Sequence, residues 1–105
     1  MCGILTILNI DPARSNPAEL RRKALAMAKT IRHRGPDWSG IYTDDRAILA
    51  HERLSIVDVE HGAQPLLDTL KGCALAVNGE IYNHRELRAS LKQPHDFQTL
   101  SLIHI

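Results

Sequence analysis

The 105-residue chain carries 13 basic and 12 acidic residues, a net charge of +1 at pH 7, with 44% hydrophobic and 24% charged residues. That is the composition of one small globular domain, and its charge balance supplies no field for gathering nucleic acid or a membrane surface. Cys2 and Cys73 lack C-x-x-C spacing and make no disulfide framework, and the apolar start before Asp11-Pro12 is too short to span a bilayer and lacks a signal peptide's basic flank, so the cytoplasm is the expected compartment.

In chain order, the β-branched run at 4–10, closed by Asp11-Pro12, predicts a buried strand. A helix should follow, with Asn16 as cap, Pro17 at its first position and Glu19 three residues after the cap. Leu20, Ala24, Met27 and Ile31 fall on one face of it, and Gly35-Pro36 should end it. The clusters Arg21-Arg22-Lys23 and Arg32-His33-Arg34 read as solvated helix surface.

Segments 38–42 and 47–54 predict a hairpin turning at Asp44-Asp45, and 64–67 with 73–77 a second strand pair around Lys71-Gly72. Cys73, in an apolar run, is expected to be a buried small residue. Residues 80–82 read as a short strand, and Asn83, with Glu86 three positions on, should cap a helix to about Leu91. Connections this short favour antiparallel pairing and an α+β fold.

A cysteine directly after the initiator Met has a particular chemical option. Removal of Met1 leaves a thiol and a free α-amine on one residue. An α-amine has a reference pKa of about 7.7–8.0 and can take the proton that a thiol must lose to become a nucleophile. Gly3 would leave room for a substrate close to the backbone. Histidines 33, 51, 61 and 84 show no H-x-x-x-H pattern, so no metal site is expected. Alone, Asn78-Gly79 reads as a type I′ hairpin turn and Arg53 as a surface cation on a strand.

Four strings change those readings: M-C-G-I at 1–4, R-H-R-G-P-D-W-S-G at 32–40, H-E-R-L-S-I-V-D at 51–58 and N-G-E-I-Y-N-H at 78–84, with G-A-Q-P-L at 62–66 in agreement. In this order and spacing they resemble the glutaminase domain of the glutamine-dependent asparagine synthetases, over residues 1 to about 99. The resemblance implies an N-terminal-nucleophile sandwich of antiparallel sheets flanked by helices, of the class II amidotransferase type. It implies that Cys2 attacks the side-chain amide of L-glutamine, with Asn78 and Gly79 as the oxyanion pair. It also implies that Arg53 binds the substrate carboxylate, that Glu80 serves the amino-group pocket, and that Leu54, Ser55, Ile56 and Val57 line the site. The same resemblance implies no cofactor in this domain, ATP and Mg in a synthetase domain of the same parent chain, no nucleic-acid or membrane partner, and a parent able to form a homodimer.

The resemblance stops at Thr99. Residues 100–105, L-S-L-I-H-I, read as a non-native tail, the translation of a transposase adapter used for sequencing libraries. On that reading 1–99 is a partial amidotransferase domain, and weak or absent glutamine hydrolysis by the chain itself is expected. Another class II amidotransferase with a different acceptor, or a non-catalytic remnant, are the alternative readings.

Overall fold

The computed structural model describes residues 1–56, 58 and 60–97. They divide into two compact units: 1–54 with 63–78, and 55–62 with the residues from 79 onward.

The first unit is built on a three-stranded antiparallel sheet, with β1 (Gly3–Ile7) and β2 (Trp38–Thr43) on either side of β3 (Ile48–Arg53). A single helix, α1 (Pro17–Thr30), packs on β1 and β3. It starts as expected: the Asn16 side chain accepts hydrogen bonds from the Ala18 and Glu19 N–H groups at 3.0 and 3.2 Å. It stops earlier than expected, because Ile31 caps it and residues Arg32–Arg34 tighten into a 3-10 turn before Gly35.

Strand alternation separates the two faces of the sheet. Gly3, Leu5 and Ile7 pair with Glu52, Ala50 and Ile48, and Gly3 abuts Ile31 at the end of α1, so these residues form the helix-covered face. Its core is Ala24 and Ala28 of α1 against Ile48 and Ala50. The alanines allow the helix backbone to lie close to the sheet, which leaves the longer Met27 at the rim, 41% exposed. The expectation for β1 needs correction as well. Among the described residues it is an edge strand that pairs only with β3, and Ile4 and Thr6 on its second face are exposed.

The hairpin between β2 and β3 forms where the sequence places it. Asp44 Oδ1 accepts from the N–H groups of Arg46 and Ala47, both at 2.7 Å, and Oδ2 accepts from the Tyr42 hydroxyl at 2.7 Å. The Tyr42 bond, followed by those two backbone donors, holds the Asp44 carboxyl below its ordinary pKa.

β4 (Leu66–Asp68) and β5 (Cys73–Leu75) form the second, two-stranded antiparallel sheet, turning through Gly72 at φ +65. The pair is shorter than predicted. Pro65 has no N–H to continue the ladder, and the Gln64 side chain instead accepts from the Val77 N–H at 2.8 Å. Cys73 is exposed rather than buried, because it directly follows the turn and pairs only with Asp68 in this two-stranded sheet.

The second unit contains α2 (His84–Ala89). Asn83 occupies its N-cap position, but only the backbone works there: the Asn83 carbonyl accepts from the Leu87 N–H, and the side chain makes no capping bond. Residues 80–82 pair with no strand among the described residues and lead into a turn in which the Ile81 carbonyl accepts from the His84 N–H. Elsewhere in this unit Arg88 stacks 4.3 Å from the centre of the Phe97 ring, and His61 Nδ1 lies 2.9 Å from Asp58 Oδ1. Among the described residues no helix is long and apolar enough to cross a membrane.

Candidate active site

Cys2 enters just before β1, at the end of the sheet where β3 finishes. Its side chain is only 5% exposed. The sulfur sits in a backbone fork: the Leu54 N–H donates to it at 3.3 Å, and the thiol can donate to the Leu54 carbonyl at 3.8 Å. On its other side, Arg34 Nε–H donates to the Cys2 carbonyl at 3.3 Å. One side chain and one backbone segment therefore hold the two halves of Cys2. Met1 before it is mostly exposed, so its removal disturbs little packing.

The space beside Gly3 belongs to the fold. A Cβ there would lie 3.0 Å from Ile31 Cδ1 and 3.2 Å from Ile31 O, so this glycine admits the end of α1, not a substrate.

The last residues of β3 are buried although polar. Glu52 accepts from the Ser39 hydroxyl at 2.5 Å on the helix-covered face. Arg53 is 4% exposed, which corrects the reading of it as a surface cation, and by alternation it shares the second face with His51. His51 is 0% exposed, with Nε2 3.1 Å from the Val77 carbonyl oxygen. A carbonyl only accepts, so Nε2 carries the hydrogen. Burial lowers the His51 pKa and the charge of Arg53 adds to this, against opposing effects of the Val77 bond and Glu52. The ring is therefore neutral, and its buried Nδ1 has no hydrogen-bond partner among the described residues.

Segment 64–65 crosses the second face at Gly40. A Cβ at position 40 would lie 1.8 Å from Gln64 O, so only glycine admits the approach. Gln64, 4% exposed, then reaches Val77 from one side while His51 holds it from the other. Asn78 follows directly. Positive φ among the described residues is confined to Asn9, Asp58 and Gly72, so Asn78-Gly79 is not a type I′ turn.

A sequence model of the glutamine amidotransferase domain matches residues 1–102. The chain belongs to the glutamine amidotransferase family. It is similar to asparagine synthetase B [glutamine-hydrolyzing] of Escherichia coli, 58% identical over 99 residues, covering 94% of this chain and 17% of that protein. A probable asparagine synthetase [glutamine-hydrolyzing] of Dictyostelium discoideum is 53% identical over 103 residues, covering 96% and 18%. Asparagine synthetase [glutamine-hydrolyzing] 2 of Oryza sativa subsp. japonica is 50% identical over 101 residues, covering 96% and 16%. The chain thus spans less than a fifth of the length of these relatives.

Of the residues expected at the amidotransferase site, Cys2, Arg53, Leu54 and Asn78 belong to the first unit. Cys2 and Leu54 are in direct contact there. Ser55, Ile56, Gly79 and Glu80 belong to the second unit, where Ile56, Gly79 and Glu80 are exposed and Ser55 is partly buried. Val57 and residues 100–105 lie outside the described residues.

Three members of the surroundings were not expected at the site from the sequence: Arg34, His51 and Gln64. Each lies inside one of the matching strings, so their positions were visible, but their contacts were not. A cavity of about 360 Å³ lined by Ile10, Pro17, Leu20, Thr43 and Ile48 lies at the opposite end of the sheet from Cys2.

Proposed function

We propose that this chain is the glutamine-hydrolysing part of an asparagine synthetase, with the N-terminal-nucleophile architecture and Cys2 as nucleophile. The observation that carries the reading is the Cys2 sulfur, buried and held 3.3 Å from the N–H of Leu54, which directly follows the buried Arg53. A structural cysteine in an apolar core has no need of this polar setting. The matching relatives bear the name asparagine synthetase [glutamine-hydrolyzing], which favours that parent over other amidotransferases.

In this mechanism, Met1 is removed and the Cys2 α-amine accepts the thiol proton. The sulfur attacks the side-chain amide carbon of glutamine, forming a C–S bond and an oxyanion. The Asn78 amide and the Gly79 N–H donate to that oxyanion, and such a donor is worth about 3–4 kcal/mol of barrier. Collapse breaks the C–N bond, and the protonated amine returns its proton to the departing ammonia. Water then cleaves the γ-glutamyl thioester, releasing glutamate and the thiol. Arg53 binds the substrate carboxylate, a bidentate task suited to guanidinium, and Glu80 attracts the amino group. Ammonia passes to the remaining domain of the parent, where ATP and Mg would activate aspartate.

The test is Cys2→Ala in the full-length parent. Glutamine-dependent asparagine formation should vanish while ammonia-dependent formation persists, because the second site needs only a nitrogen source. Loss of both activities would assign Cys2 a structural role.

A further inference from the structure

We propose that His51 and Gln64 are positioning residues for Asn78, acting by holding the backbone of Val77 at both its polar groups. The inference rests on the reading of Asn78 as an oxyanion donor. His51 Nε2–H donates to the Val77 carbonyl at 3.1 Å, and the Val77 N–H donates to Gln64 Oε1 at 2.8 Å. Both side chains are buried and Val77 is partly buried, so the two bonds are shielded from bulk water on the side-chain side.

The covalent geometry makes the His51 bond decisive. A peptide unit is planar, so the Val77 carbonyl shares one rigid plane with the nitrogen and Cα of Asn78. Fixing that oxygen fixes the direction from which Asn78 starts. The Gln64 bond fixes the preceding plane through the Val77 nitrogen, so both planes flanking Val77 are held.

The anchor on one side is central strand β3, which also carries Arg53 and leads directly to Leu54 at the sulfur. The nucleophile and the approach to Asn78 are thereby indexed to the same strand. A misplacement of about 1 Å in such a constellation costs roughly a hundredfold in rate.

The experiment measures glutamine hydrolysis by the full-length parent, with ammonia-dependent asparagine formation as the control for an intact fold. His51→Leu should lower kcat for glutamine hydrolysis about tenfold to a hundredfold, with the KM for glutamine and the ammonia-dependent rate within about threefold of wild type. His51→Gln, whose amide can donate from near the place of Nε2, should recover most of kcat. His51→Asn places its amide near Nδ1 and leaves the Val77 carbonyl without a donor, so it should resemble His51→Leu.

Gln64→Met should lower kcat while Gln64→Glu, which keeps an acceptor, should lower it less. Wild-type kcat in His51→Leu overturns the inference, as does a parallel loss of hydrolysis and ammonia-dependent synthesis. If His51→Leu does not fold, equal kcat in His51→Gln and His51→Asn overturns it. Cys2→Ala separates the two levels. Its inactivity alongside fully active His51 variants refutes the positioning role alone, whereas an active Cys2→Ala refutes the active-site reading.

Discussion

Replacing Gly40 by alanine adds one methyl group where the second face of the sheet meets segment 64–65. That carbon would stand 1.8 Å from Gln64 O and 2.9 Å from Gln64 C, both backbone atoms. Restoring an ordinary contact needs a displacement of more than 1 Å in a segment that cannot swing away like a side chain. The Gln64 bond to Val77, at 2.8 Å, does not survive a shift of that size. Overpacking costs about 1–3 kcal/mol, and a lost buried hydrogen bond adds about 1 kcal/mol. We expect a loss of about 2–4 kcal/mol, or a fall in Tm of roughly 10–25 °C for a domain of this size.

The chain has a single tryptophan, Trp38, two residues from the substitution, so urea unfolding can be followed by its fluorescence together with far-ultraviolet circular dichroism. Gly72→Ala is the comparison: it has φ +65 but open space around a Cβ, and should lose only about 1–2 kcal/mol from backbone strain. A Gly40→Ala chain within about 0.5 kcal/mol of wild type would refute the close packing of segment 64–65 on the sheet.

Arg53→Ala in the full-length parent should raise the KM for glutamine about tenfold to a hundredfold, from the loss of a charge-assisted pair worth about 1.5–3 kcal/mol. A fall in kcat at unchanged KM would instead place Arg53 at the transition state. For His51, burial favours the neutral ring in the folded chain, so the unfolded chain binds more protons below its ordinary pKa of about 6.5. The His51 contribution to stability is full above about pH 6.5 and is lost as pH falls towards the lowered folded value, at up to about 1.4 kcal/mol per pH unit. Urea midpoints measured between about pH 5 and 7.5 should therefore fall less steeply on acidification for His51→Gln than for wild type. Identical slopes would contradict the buried, neutral ring.

Local chemistry was legible in the sequence wherever a side chain acts on backbone within a few residues. Asn16 caps α1 through residues 18 and 19, and Asp44 closes its hairpin through residues 46 and 47, because those partners are adjacent whatever the rest of the chain does. The family, too, was written in short strings, and with it the expectation that Cys2, Arg53 and Asn78 belong to one site. Local signals misled where tertiary placement overrode them. Asn83 takes the cap position without using its side chain, residues 80–82 pair with no strand among the described residues, and Cys73 lies on an exposed two-stranded turn.

Only the tertiary structure decided which groups contact Cys2 and Val77. The Leu54 contact spans 52 positions, the Arg34 contact 32, and the His51 and Gln64 bonds to Val77 span 26 and 13. Each depends on sheet register, on alternation along β3, or on a close approach that a missing Cβ permits. Residue type sets what a side chain can donate or accept; the fold decides which backbone stands within its reach.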